Sequence, residues 1–218
     1  SLVRIAISQR VEVVADCNER RDCLDQAWTD LLTQAGCDLL PVPNNLPNVN
    51  QWLKKQKVEA LLLSGGNDLS HLTNSSNSAP ERDETEKKLL QWAAENKIPV
   101  LGVCRGMQML NHHLAGSLSS VENHTANMHA ISPFENETLF SDYSFVNSFH
   151  KWGIRPNDLS TSLRPLAVAD DGTIEALGHL ELPWVGIMWH PERDNGTEKN
   201  NDIALIKKVF FESGKGFK

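Results

Sequence analysis

A chain of 218 residues, 40% hydrophobic and 22% charged, has the composition of a soluble globular protein long enough to bury a full core. Its formal charge of −7, without any clustered Lys/Arg block, argues against nucleic acid as a partner, because phosphate backbones are bound by dense cations. No apolar run approaches the roughly 20 residues of a membrane-spanning helix, so no membrane partner is expected either.

The opening residues Ser1–Gln9 read as a strand and show no secretory-leader anatomy. Cys17, Cys23, Cys37 and Cys104 form no C-x-x-C pair, which with that opening predicts a reduced, cytoplasmic protein. Asn18–Ala35 carries Leu24, Trp28, Leu31 and Leu32 at helical spacing, with Gly36 as its stop, and so predicts a long helix. Asp38–Val42 reads as a strand and Val49–Lys57 as a short helix. Val58–Ser64 is a nearly continuous apolar strand, the kind covered on both faces of a parallel sheet. Gly65-Gly66 ends it, and a polar loop runs from Asn67 to Pro80. Glu81–Lys97 predicts a helix, Ile98–Val103 another buried strand, and Arg105–Ala115 a helix stopped by Gly116. Later, Phe145–Phe149, Leu166–Asp170, Thr173–Leu177 and Trp184–Trp189 read as strands, Asp171-Gly172 as a hairpin turn, and Asp202–Glu212 as the last helix. The alternation predicts one α/β domain over residues 1–218, a largely parallel sheet sandwiched by helices with antiparallel strands added late. Sites in such sheets gather at the C-terminal ends of strands. That rule points to Gly65-Gly66, Cys104 and His190.

Gly102-Val103-Cys104-Arg105-Gly106 places a nucleophile between small residues at a strand-to-helix turn, the pattern of a nucleophile elbow. The following helix aims its N-terminus at the sulfur and favours the thiolate, and the Arg105 N–H can serve an oxyanion hole. A buried structural cysteine in a Gly-rich turn would look the same locally. Trp189-His190-Pro191-Glu192 ends an apolar strand and offers a base with a carboxylate that can orient it; alone it also fits a loop with a solvated carboxylate. The diglycine leaves bare N–H groups, of which Gly66 is the candidate second oxyanion donor, although a plain turn would read alike. No phosphate-binding loop and no Rossmann glycine motif is present. His112 and His113 are adjacent on a helix and lack the spacing one metal would want. His71, His124, His129 and His179 are assigned to surface or ordinary core, so no metal site is expected.

Together the diglycine loop, the Gly-Val-Cys-Arg-Gly-Met-Gln elbow at 102–108 and the Trp-His-Pro-Glu segment resemble the class I glutamine amidotransferase superfamily. The likeness is to its free-standing γ-glutamyl hydrolase branch (peptidase C26-like, γ-glutamyl-γ-aminobutyrate hydrolase type). Ile7-Ser8-Gln9-Arg10, Arg82-Asp83 with Glu86, and Val146-Asn147-Ser148-Phe149-His150 are similar to further segments of that branch. The resemblance implies a flavodoxin-like three-layer sandwich and a cofactor-free hydrolysis of a small γ-glutamyl substrate by a triad of Cys104, His190 and Glu192. It implies that Gln108 and Ser148–Phe149–His150 hold the glutamyl head group, with Arg82 as a substrate contact. It leaves a homodimer open. The sequence departs at Lys151-Trp152 and in a shortened loop after Gly66, both bordering the leaving-group side. The Gly-Gly-Asn-Asp-Leu run resembles a subgroup tied to bacterial surface polysaccharide synthesis, the γ-glutamyl-CDP-amidate hydrolases. Two other functions stay open: a glutaminase subunit feeding ammonia to a separate synthase, and a non-catalytic binding protein on the same scaffold.

Overall fold

The computed structural model describes residues 2–194, Gly196 and 198–212; Ser1 of the opening segment and the last residues of the 1–218 range lie outside the described residues. The parallel half of the sheet comprises β1 (Val3–Ile7), β4 (Cys37–Pro41), β5 (Ala60–Leu63), β6 (Val100–Val103) and β13 (Trp184–Ile187). β5, β6 and β13 are buried at every position, as strands covered on both faces must be. The helices α1 (Ala27–Gln34) and α5 (Lys199–Phe211) pack together, as do α2 (Val49–Lys55), α3 (Pro80–Asn96) and α4 (Arg105–His113).

The antiparallel half adds β12 (Ile174–His179), β11 (Leu163–Ala169), β8 (Thr125–Pro133) and β9 (Phe145–Phe149). The order across the nine strands is β4-β1-β5-β6-β13-β12-β11-β8-β9. The α/β class stands, with a larger antiparallel share than the sequence suggests, because β8 carries no clear alternation of its own. Asp171-Gly172 forms the expected turn, with Gly172 at φ +83° and its N–H donating to the Ala169 carbonyl.

The long helix expected over 18–35 is corrected. Its first part is β3 (Glu19–Cys23), which pairs antiparallel with β2 (Arg10–Val14) and sets Glu12 opposite Arg21. Asn18, at φ +52°, makes the turn, and α1 begins only at Ala27. The small pair β7 (Ser119–Ser120) and β10 (Trp152–Gly153) holds the chain that leaves β9. No described helix is long and apolar enough to cross a membrane.

Candidate active site

Cys104 sits between β6 and α4 with φ +53° and ψ −103°, a backbone state costly for any residue with a Cβ. The flanking glycines explain how it is held. A Cβ on Gly106 would lie 2.2 Å from the Leu63 carbonyl oxygen, and one on Gly102 would lie 2.7 Å from the Gly106 carbonyl. The Cys104 N–H donates to Ile187 O at 2.8 Å, anchoring the elbow to β13, and its carbonyl starts α4 by accepting from the Gln108 N–H. The sulfur therefore stands at the N-terminus of α4.

His190 follows β13 and is buried. Its Nδ1 lies 2.8 Å from Glu192 Oε1, and its ring lines the same cavity as Cys104. Burial opposes a charged imidazole here, but the Cys104 sulfur and the Glu192 carboxylate outweigh it and push His190 up to about 10. The ring packs so closely on the diglycine that a Cβ on Gly65 would come within 2.6 Å of its Cε1. Asn147 clamps the backbone: its Nδ2 donates to His190 O at 2.9 Å and its Oδ1 accepts from His190 N at 2.8 Å. Within the Val146–His150 segment, only the tertiary contact with His190 gives Asn147 this holding role.

Behind the diglycine lies a buried ion network. Arg82 is fully buried, as is Glu86, and their side chains lie 3.3 Å apart one turn apart on α3. Arg82 Nη1 donates to Gly65 O at 3.1 Å and Gly66 O at 2.5 Å, and its Nη2 donates to Ser64 O at 2.7 Å. Arg105 pairs with both Glu86 and Asp83. Burial and the neighbouring Arg105 bring Arg82 down to about 9 despite Glu86. Burial works against the charge on Glu86, yet the two guanidiniums hold its carboxyl below the ordinary range. The expected substrate contact by Arg82 is thus corrected: its guanidinium is committed to the back of the loop and fixes where Gly65 and Gly66 stand.

A cavity of about 330 Å³ opens over the sulfur. Cys104, Arg105, Gly66, Gln108 and His190 line it, so the residues read from the motifs do converge. Phe149 and His150 also reach it, and Gln108 is steadied by donating from Nε2 to Trp152 O at 3.1 Å. Ser148 does not; it is buried on the opposite side of β9 and its hydroxyl donates to His124 O at 2.6 Å. Strand alternation is the reason, since Phe149 faces the cavity and Ser148 must face away. Besides Arg105, which is paired with Glu86 and Asp83, three cations, Arg10, Lys151 and Arg193, share the lining with one carboxylate, Asp68.

Two histidines assigned to surface or ordinary core, His124 and His129, belong to one buried group with His150. His124, His129 and His150 gather around the fully buried Glu175 of β12. β9 returns His150 beside His124, and a bulge in β8 between Thr125 and Asn127 inserts one residue between His124 and His129. A five-residue spacing on a regular strand points side chains to opposite faces; the bulge brings these two rings to 4.9 Å between centroids. Burial, then the imidazoles of His124, His129 and His190, push His150 down to about 3.

The sheet and the cysteine elbow define the class. Residues 2–192 match the peptidase C26 family, and the chain belongs to it: it is an enzyme, a hydrolase of amide bonds. Over 210 residues it is 37% identical to the gamma-glutamyl-CDP-amidate hydrolase of Campylobacter jejuni subsp. jejuni serotype O:2, covering 94% of this chain and 96% of that protein. It is 29% identical over 209 residues to a glutamine amidotransferase-like protein of Lactococcus lactis subsp. lactis, with 85% of each covered. The crystal structure of a glutamine amidotransferase from Thermotoga maritima shares the fold, with a TM-score of 0.69 over 98% of both chains at 15% identity.

Proposed function

We propose that this protein, working as one domain, hydrolyses a γ-glutamyl amide bond whose leaving nitrogen carries an anionic group, with γ-glutamyl-CDP-amidate as the substrate to test first. The observation that carries the reading is that Cys104 and His190, whose Nδ1 is held by Glu192, converge on one cavity that also bears Arg10, Lys151 and Arg193. Lys151 and Arg193, with Arg10 paired to Glu12 beside them, give this cavity a cationic rim in a protein of net charge −7 and suit phosphate oxygens. The similarity to the Campylobacter jejuni hydrolase supports the same choice.

In this reading the Cys104 thiolate attacks the γ-carbonyl carbon. The N–H groups of Gly66 and Arg105 meet the oxyanion, each donor being worth about 3–4 kcal/mol in comparable sites. The C–N bond breaks as the His190 imidazolium gives its proton to the leaving nitrogen, and a glutamyl thioester remains on the sulfur. Neutral His190 then takes a proton from water, the water oxygen attacks the thioester, and glutamate leaves with the thiolate restored. Glu192 holds the tautomer and supports the imidazolium. Gln108, Phe149 and His150 form the wall for the glutamyl group.

The test is a comparison of kcat/KM for the purified protein on γ-glutamyl-CDP-amidate, on γ-glutamyl amides of neutral amines and on glutamine. The phosphoramidate is expected to be preferred, and Cys104→Ala to lower kcat by at least about 1,000-fold with an unchanged circular dichroism spectrum. A Cys104→Ala variant that keeps more than a few percent of activity contradicts the role of the thiol. A clear preference for glutamine, enhanced by a synthase, would instead support an ammonia-supplying subunit.

A further inference from the structure

Glu175 has no exposed surface, and neither of its carboxylate oxygens has a hydrogen-bond partner in the protein. The same holds for both ring nitrogens of His150, for His124 Nδ1 and for His129 Nε2. Six buried polar atoms without a hydrogen bond are costly, and only the long ion pairs of His124 and His129 with Glu175 offset that cost. Their arrangement is convergent. His124 Nδ1 lies 3.3 Å and His129 Nε2 lies 3.5 Å from the same Glu175 oxygen. One donor atom each from His124, His150 and Glu175 falls within 4.8 Å of the other two. His124 is also oriented from outside, because Asp171 Oδ2 stands 2.7 Å from its Nε2 and leaves Nδ1 turned toward Glu175. A carboxylate on the far nitrogen is the usual outer support of a metal-binding imidazole.

We propose that His124 Nδ1, a ring nitrogen of His150 and the Glu175 carboxylate bind a divalent ion of the zinc class, with His129 Nε2 as the adjacent fourth donor. Imidazoles with one carboxylate are borderline donors, which suit Zn²⁺ better than Mg²⁺ or Ca²⁺. The ion would join the start of β8, the end of β9 and β12, which sequence leaves far apart. His150 also lines the cavity over Cys104, next to Lys151 and Trp152, so the ion would fix that wall. The inference does not depend on which amide the enzyme cleaves.

The test uses tag-free full-length protein, stripped with a chelator, exposed to Zn²⁺ or Co²⁺ and then desalted. About one equivalent of Zn²⁺ is expected to stay bound, and the Co²⁺ form is expected to show the visible bands of a low-coordinate nitrogen/oxygen site. Glu175→Gln and His124→Asn should each weaken Zn²⁺ binding by more than 100-fold, and Asp171→Asn by about 10–100-fold. Cys104→Ala should retain the full Zn²⁺ content, which separates this site from the thiol. Wild-type protein that keeps less than about a tenth of an equivalent after exposure to micromolar Zn²⁺ overturns the proposal without reference to any variant. So does Zn²⁺ uptake that survives Glu175→Gln and disappears with Cys104→Ala.

Discussion

Glu86 and Glu175 are both fully buried carboxylates on the regular elements of one chain, and they are treated in opposite ways. Glu86, in the parallel half, has Arg82 and Arg105 against it, and their charges hold it ionised. Glu175, in the antiparallel half, has imidazoles near it but no made hydrogen bond, and burial raises its pKa. A buried charge met by opposite charges is a fastening: the Arg82 network pins the diglycine under His190. An unsaturated one is a receptor. The difference separates groups that build the site from groups able to bind something further.

The comparison can be sharpened by experiments of decreasing expected size. The largest effect within the fastened half concerns Glu192. Glu192→Gln should lower kcat by about 10,000-fold, because an amide can hold the wrong imidazole tautomer. It should also move the alkaline limb of kcat/KM. His190 acts first as an acid, so activity falls as pH rises through its pKa, and the wild-type value is raised to about 10 by Cys104 and Glu192 against burial. Removing the Glu192 charge takes away one raising partner and shifts that limb to lower pH. An unmoved limb would mean that Glu192 does not set the imidazole.

Next in size is Arg82→Met, read by chemical denaturation. Removing one member of a buried ion network leaves the others uncompensated and costs about 3–5 kcal/mol. A loss below about 1 kcal/mol would show that Glu86 and the Gly65 and Gly66 carbonyls do not depend on this guanidinium. The smallest expected effect is at the exposed rim. Lys151→Ala should raise KM about 10-fold for γ-glutamyl-CDP-amidate, near 1.4 kcal/mol, and leave KM for a neutral γ-glutamyl amide unchanged. Equal effects on both substrates would remove Lys151 from leaving-group recognition.

What could be read in the sequence follows from how local each feature is. The elbow is contiguous: Gly102, Cys104 and Gly106 are small–nucleophile–small because the turn and the Leu63 carbonyl admit nothing larger, so the spacing carries the geometry. His190 and Glu192 are two residues apart and equally legible. The β2–β3 hairpin is hidden because Leu24, outside α1, falls at helical spacing from Trp28, Leu31 and Leu32 and extends a periodic reading back over Glu19–Cys23. Cross-strand pairs such as Glu12 with Arg21 leave no trace in that periodicity. Arg82 reads as a substrate contact because its acceptors are backbone carbonyls that only tertiary structure supplies. The histidine cluster was least legible of all, since it needs a strand pairing, a bulge and Glu175 from a third strand.

The central claim is that the Cys104 sulfur carries the glutamyl group during turnover. Acid-quenching the enzyme in the steady state with γ-glutamyl-CDP-amidate, followed by peptide mass spectrometry, tests it directly. The expected result is a glutamyl adduct confined to the Cys104 peptide, more abundant when Glu192→Gln slows its hydrolysis. Substrate turnover with Cys104 unmodified throughout, or an adduct on Cys17, Cys23 or Cys37 instead, would contradict it.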